Sequence, residues 1–361
     1  MSTRASIGFV TTKAAPLHAG HIWLITQAAT QCDILYVVLS HDGKRFDNPA
    51  LSLKNRKLWL LETFKDIPHI RVVHVDETEM QPYPNGWDEW SVAVINEINE
   101  PHIDYIFTSE AKDLAGYNKW FPGTKVIMVD ADRTHVPITG TMVRNEPMRH
   151  WSFMPSVVRE QFLKRVCIIG TESCGKTTLT KMLAKHFQTS WVEEYGRTYC
   201  EQTLFGDETL LRFDDYGKIA MQRYQDECQA ARSANRVLLV DTNALITNFY
   251  CRLYEGRTNP LVTELEALED YDLVIYLDDD VPWVPDGLRI NSDRERTRNA
   301  LKDYLQNIND KYSDKMVVVS GSYKQRLEMS IALIDNLLGV NAVSTPANAT
   351  KSATALYTEG N

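Results

Sequence analysis

The residues best suited to chemistry fall in a few short stretches. "KAAPLHAGH" brings Lys13, His18, Gly20 and His21 close together. Two imidazoles around a glycine, with an ammonium upstream, suit the binding of a polyphosphate and the stabilisation of charge as a phosphate is attacked in line. "ITGTMVR" adds Gly140, Thr141 and Arg144. There the N–H groups and hydroxyls of a helix start precede an arginine one turn later on the same face. "GTESCGKTT" runs Gly170, Thr171, Glu172, Ser173, Cys174, Gly175, Lys176, Thr177, Thr178 and matches G-x-x-x-x-G-K-[ST] in full. Its glycines let the backbone close round a phosphate, Lys176 reaches the outer phosphates of ATP, and the Thr177 hydroxyl suits Mg²⁺.

Three more stretches complete a phosphoryl-transfer site. "RVLLVD" ends an apolar run on Asp241, placed to share the Mg²⁺. The alternative is a strand-end Asp capping the next helix at Thr242 or Asn243. "WVEEYGR" offers Glu193, Glu194 and Tyr195: a carboxylate to orient or deprotonate an acceptor hydroxyl, and a ring to stack on it. Glu194 is the chosen base, with Asp241 a competitor; the alternative is a rim ion pair with Arg197. "WVPDGLRINSDRERTR" carries Arg289, Arg294, Arg296 and Arg298 in a polar stretch. It reads as a lid bringing arginines over the transferring phosphoryl group, with Arg289 the chosen residue; a solvated charged helix is the alternative for the rest.

These residues need strand-to-helix turns to hold them. Short β-branched runs at 5–11, 34–40, 70–76, 105–109 and 125–130 alternate with amphipathic segments. A second series follows at 165–170, 190–194, 236–241, 273–277 and 315–320. Both read as βαβ units, so the fold class is α/β, with two tandem parallel-sheet domains. "NEPMRHWSFMPSVVREQFLK" breaks the rhythm with two prolines and then reads as a helix. The expected layout is a nucleotidyltransferase domain over 1–150, a connecting helix over 151–164, a P-loop kinase domain over 165–340, and a flexible tail over 341–361. Each motif then sits at the carboxyl end of a strand, where open parallel sheets bind ligands.

Composition narrows the class. With 361 residues, two domains are expected; 43% hydrophobic and 24% charged residues are ordinary for a soluble globular chain. The net charge of −9 argues against a nucleic-acid binder, though not against small anions held by local N–H groups and cations. Six scattered cysteines without a CxxC pair argue against a zinc site or disulfide framework and suit a reducing compartment. No signal peptide or membrane span is read, so a cytoplasmic protein is expected. No NKxD-like guanine-reading motif and no KMSKS-like segment is present.

H-x-G-H early with [ST]-[GS]-T-x-x-R late resembles the paired signature of the adenylyltransferase superfamily. "PYPNGWDEW" (82–90), "TSE" (108–110), "ITGTMVRNEPMRHW" (138–151), "EYGR" (194–197) and "WVPDGLR" (283–289), in this order with the P-loop, are more specific. Together they resemble the NadR family, bifunctional nicotinamide mononucleotide (NMN) adenylyltransferases and ribosylnicotinamide kinases, over about residues 5–338. The resemblance implies that the C-terminal domain phosphorylates nicotinamide riboside with ATP to NMN. The N-terminal domain would join NMN to a second ATP, giving NAD and pyrophosphate. It implies that Lys13, His18, His21, Thr141 and Arg144 bind ATP phosphates and makes Trp87 and Trp90 candidates for stacking on nicotinamide. A core role is the alternative for Trp90.

Two departures qualify the match. Some members carry an N-terminal helix-turn-helix; here the first strand starts near residue 5, so a repressor role is not expected. Ala14 and Ala15 stand where relatives have aromatics, which bears on the tightness of the first nucleotide site. Two other readings stay open: a nucleotide sensor with one weak site, reporting to a partner such as a riboside transporter, or an enzyme pair acting on another nucleoside. A homo-oligomer is compatible with either.

Overall fold

In a computed structural model, the described residues are 4–43, 48–280, 294–307, 310–312 and 314–339. Arg289 and the tail at 341–361 lie outside them. The chain divides into two compact units, Met1–Phe162 and Leu163–Asn361.

The first unit is built on strands β1 (Ile7–Thr12), β2 (Ile34–His41), β3 (Ile70–Asp76), β4 (Tyr105–Thr108) and β5 (Lys125–Met128). They form one sheet in the order β3-β2-β1-β4-β5. Every pairing is parallel, with Gly8 opposite Leu35 on one side and Tyr105 on the other. Helices α1 (Ala19–Ala29), α2 (Leu53–Phe64), α3 (Trp87–Ile98) and α4 (Leu114–Trp120) make the crossovers, and α5 (Gly140–Asn145) follows the last strand. Its core joins Phe9, Tyr36, Val38, Ile106, Tyr117 and Phe121. Each fully buried apolar side chain of this kind contributes about 1.5–3 kcal/mol. The chain order reverses at β1, which opens a crevice between the carboxyl ends of β1 and β4.

The expected connecting helix over 151–164 is not one helix. A 3₁₀ turn covers Trp151–Phe153, helix α6 spans only Ser156–Arg159, and Lys164 already starts a strand. The reason is Pro155, which disfavours helical backbone at the residue before it and restarts the chain as the cap of α6. Arg159 closes the turn by donating to the Trp151 carbonyl at 3.1 Å.

The second unit repeats the architecture with β6 (Lys164–Gly170), β7 (Trp191–Val192), β8 (Val237–Asp241), β9 (Leu273–Leu277) and β10 (Met316–Val319). Their order is β10-β9-β6-β8-β7, all parallel. β8 and β9 are buried along their whole lengths, as unbroken apolar runs in a covered parallel sheet should be. The helices are α7 (Lys176–Phe187), α8 (Tyr195–Thr203), α9 (Phe213–Ala231), α10 (Ala244–Glu255), α11 (Pro260–Leu268), α12 (Arg294–Asn307) and α13 (Tyr323–Leu338). Local chemistry marks their ends. Asn243 and Asn259 cap α10 and α11, and Ser322 with Gln325 forms a capping box on α13. The stretch expected as a strand over 190–194 pairs only at Trp191 and Val192, because Glu194 is the N-cap of α8.

Candidate active sites

In the first unit the turn after β1 gathers the predicted groups. His18 is the N-cap of α1, and its Nδ1 accepts the Gly20 N–H at 3.1 Å. One helical turn places His21 directly against it, with ring centroids 3.8 Å apart. A Cβ on Gly20 would stand 3.0 Å from the His18 ring, so any side chain here would push on that ring. From the other side of the crevice comes α5, capped by Thr139 through the Met142 N–H. Arg144 donates to the Thr141 hydroxyl at 2.9 Å and to the Ala15 carbonyl. Thus Ala15, His18, Gly140, Thr141 and Arg144, far apart in sequence, form one wall. Lys13 leaves β1 near Asp113, whose pKa burial raises and the charge of Lys13 opposes only in small part.

Burial, then the charges of Arg133 and Arg144, push the His18 pKa down to about 4. His21 is held well below the ordinary histidine range by burial, then by His18, Arg133 and Arg144. Both imidazoles are therefore neutral at pH 7 in the ligand-free protein. The buried Nδ1 of His21 has no hydrogen-bond partner among the described residues. A polar atom left open beside two guanidinium groups suits an incoming phosphate oxygen. Arg133 escaped sequence reasoning. It sits at φ +52° in a turn organised by Asp130 and donates to Glu110 at 2.7 Å and the Ile138 carbonyl at 3.1 Å.

Arg56 was missed as well. Buried in α2, it donates to the carbonyls of Leu51, Lys13 and Ser40, and its Nη2 meets His41 Nδ1 at 2.9 Å. It pins the carboxyl ends of β1 and β2 where the histidine turn begins. Ala14 and Ala15 are both buried, so the short side chains fill their places. Trp87 and Trp90 are half-buried, packed against the core in an aromatic cluster with Tyr117 and Phe121.

In the second unit the loop from Gly170 to Thr177 joins β6 to α7. Gly170, Ser173 and Gly175 have φ of +151°, +55° and +91°. A Cβ on Gly170 would lie 2.7 Å from the Leu277 carbonyl, so that position is closed to any side chain. Lys176 is buried and donates to the Thr171 carbonyl at 2.9 Å, while the buried Thr171 hydroxyl has no partner among the described residues. The Thr177 hydroxyl donates to Asp241 at 2.5 Å. Asp241 is fully buried, and burial with the nearby Glu194 raises its pKa to about 6. Beside it a cavity is lined by Glu172, Glu194, Tyr195, Arg197, Thr242 and Tyr250. The structure therefore brings Lys176, Thr177, Asp241, Glu194 and Tyr195 to one place. Glu193 turns away to Lys181, at 4.0 Å. Of the expected lid arginines, Arg298 is tied to Asp279 at 3.0 Å, Arg296 is exposed, and the Arg294 side chain and Arg289 lie outside the described set.

Tertiary parts of this site left little trace in the sequence. Tyr250 points a buried hydroxyl without a partner among the described residues at the cavity wall. Beneath it, Arg223 pairs with Glu227 and Glu269, and Glu269 accepts the Ala244 N–H that starts α10. No His/Cys/Asp/Glu cluster of metal-binding type occurs among the described residues. None of their helices is long and apolar enough to cross a membrane.

A family model described as an AAA domain matches residues 165–326. The trifunctional NAD biosynthesis/regulator protein NadR of Salmonella typhimurium is 37% identical over 92% of this chain and 84% of its own length. The Escherichia coli protein of that name is 37% identical over 93% of this chain and 84% of its own. The chain belongs to the NadR family. A solved NadR protein in complex with NR matches with a TM-score of 0.79 and 27% identity, over 94% of this chain and 98% of that one. A NadR protein in complex with NAD and AMP-PNP gives 0.77 and 28%, over 95% and 99%. The NadR resemblance read from the short motifs thus extends along the fold of both units.

Proposed function

We propose that this NadR-family protein makes NAD in two steps. In the second unit, the γ-phosphoryl of ATP passes to the 5′-hydroxyl of nicotinamide riboside, giving NMN and ADP. In the first unit, the NMN phosphate attacks the α-phosphate of a second ATP, giving NAD and pyrophosphate. The observation that carries the reading is the co-occurrence, in a chain of this family, of two separately assembled phosphate sites.

The geometry supports the following residue roles. The kinase loop cradles the ATP phosphates with its N–H groups and Lys176. Glu194, at the cavity wall, orients and deprotonates the acceptor hydroxyl, and Tyr195 lies against the substrate. Thr177 and Asp241 form a hard oxygen pair, and the buried carboxylate lies beside a second one, Glu194, an arrangement that fits Mg²⁺. Bound there, Mg²⁺ would neutralise charge on the transferring phosphates. In the first unit no protein nucleophile is required. His18, His21, Lys13, Thr141 and Arg144 position the triphosphate and stabilise the leaving pyrophosphate. Trp87 and Trp90 offer ring surface to the nicotinamide. Free cysteines suit a reducing cytoplasm, and a riboside transporter is the natural source of the first substrate.

The test uses ATP, Mg²⁺ and nicotinamide riboside, with NMN and NAD followed by chromatography. Lys176→Ala should stop riboside phosphorylation and spare NAD formation from added NMN; His18→Ala should do the reverse. A folded variant in which either change stops both reactions refutes the two-site assignment. NMN without NAD from the unaltered protein refutes the adenylyl transfer, and neither product favours the sensor.

A further inference from the structure

Arg326 of α13 lies 152 residues beyond Cys174, yet its Nη1 donates to the Cys174 carbonyl at 2.7 Å. The side chain is 2% exposed. Nε donates to the Gly321 carbonyl at 2.8 Å, and Nη2 to the Asp278 carbonyl at 2.8 Å and the Asp280 carboxylate. One buried cation thus joins the phosphate loop, the end of β9 and the turn into α13. The first residue of α13 closes on the same loop, since a Cβ on Gly175 would be 3.2 Å from the Tyr323 ring.

The Cys174 bond controls more than packing. The Cys174–Gly175 peptide is trans, so its C=O and N–H point in opposite directions. Holding the carbonyl on Arg326 fixes the direction of the Gly175 N–H. With Ser173 at φ +55° and Gly175 at +91°, the loop is one whose successive N–H groups make an anion-binding concavity. Gly175 has no Cβ to resist rotation of this peptide, so the plane most free to turn is the one the guanidinium holds.

We propose that Arg326 is a positioning residue for phosphoryl transfer: it keeps the Gly175 N–H aimed at the bound phosphate by anchoring the carbonyl behind it. The inference rests on the kinase reading above. An arginine that only fastened α13 to the sheet would affect folding without favouring one substrate over the other.

The experiment compares the full chain with Arg326→Lys and Asp280→Asn. Lysine keeps the charge but cannot bridge the separate carbonyls. Steady-state riboside phosphorylation is measured at a temperature where circular dichroism shows each protein folded. NAD formation from added NMN is the control for the other unit. For Arg326→Lys, KM for ATP should rise about ten- to hundredfold, the scale of a lost charge-assisted hydrogen bond, with KM for the riboside within about twofold. Asp280→Asn, at an exposed position that should fold even if the lysine variant does not, leaves the guanidinium without its carboxylate. It should raise KM for ATP about three- to tenfold. Unchanged KM for ATP in either folded variant, or equal rises for both substrates, overturns the proposal. Should the unaltered chain not phosphorylate the riboside, the functional reading fails. Arg326 is then judged by calorimetry with MgADP, counting only the heat that Lys176→Ala removes. Weaker binding in the variants upholds it, and unchanged binding overturns it.

Discussion

Replacing His18 by asparagine should flatten the acid sensitivity of the first unit. Asparagine is a favoured N-cap whose oxygen can accept the same Gly20 N–H, so the start of α1 is kept and only the titration is lost. In the folded protein burial, then Arg133 and Arg144, lower the His18 pKa from 6.5 to about 4. The unfolded chain takes up a proton near pH 6.5 and the folded chain resists it down to about 4. Acid therefore favours unfolding across that window: stability is full above about pH 6.5 and falls as pH drops toward 4. The difference of 6.5 − 4 = 2.5 units is worth about 3 kcal/mol in full. By about pH 5, about 2 kcal/mol of it is gone, or about 4–8 °C in Tm for a unit of this size. His21 stays in the asparagine protein without the His18 charge that helps to lower its pKa, so its own acid sensitivity should ease in the same direction. Scanning calorimetry of the two proteins near neutrality and near pH 5 reads the change, and an imidazole NMR titration reads the pKa directly. An equal acid-induced drop in both proteins would refute the reasoning, as would a His18 resonance titrating near 6.5 without nucleotide.

Other outcomes follow from the same geometry. Gly20→Ala puts a methyl 3.0 Å from a ring already stacked on His21, so NAD formation from NMN should fall at least about tenfold while riboside phosphorylation holds. At limiting Mg²⁺, riboside phosphorylation should decline as pH falls through about 6, where Asp241 gains a proton and stops serving as a cation ligand. In the pH–rate profile of Asp241→Asn that limb should be absent and the rate uniformly low. Glu269→Gln removes a carboxylate from buried Arg223 and weakens the cap on Ala244, so urea unfolding of the second unit should show a loss of about 3 kcal/mol.

The strands were legible because buried parallel strands are unbroken apolar runs, and β8 and β9 are the plainest cases. The phosphate groups were legible for a different reason. His18 and His21, or Lys176 and Thr177, meet through local turns whose geometry the spacing already dictates. The clamps were not. Arg56 and Arg326 each sit in the first turns of a helix among other polar and charged residues, where nothing in the sequence marks them as buried, and their main partners are carbonyls, which every residue carries. Arg133 owes its place to a left-handed turn set by Asp130, a bend that "DADRTH" suggests but does not aim. The connecting segment misled because Val157, Val158, Phe162 and Leu163 carry a helical period that Pro155 and the early start of β6 cut short.

The long reach of Arg326 also sets an order of events during synthesis. The phosphate loop leaves the ribosome 152 residues ahead of the cation that fixes its Cys174 peptide. At about 5–20 residues per second that gap lasts about 8–30 s. The groups assigned to the histidine site end at Arg144 and its compact unit at Phe162, so adenylyl transfer can be competent while the kinase loop is still waiting for its anchor. A nascent chain stalled before residue 326 should accordingly make NAD from NMN and leave the riboside untouched.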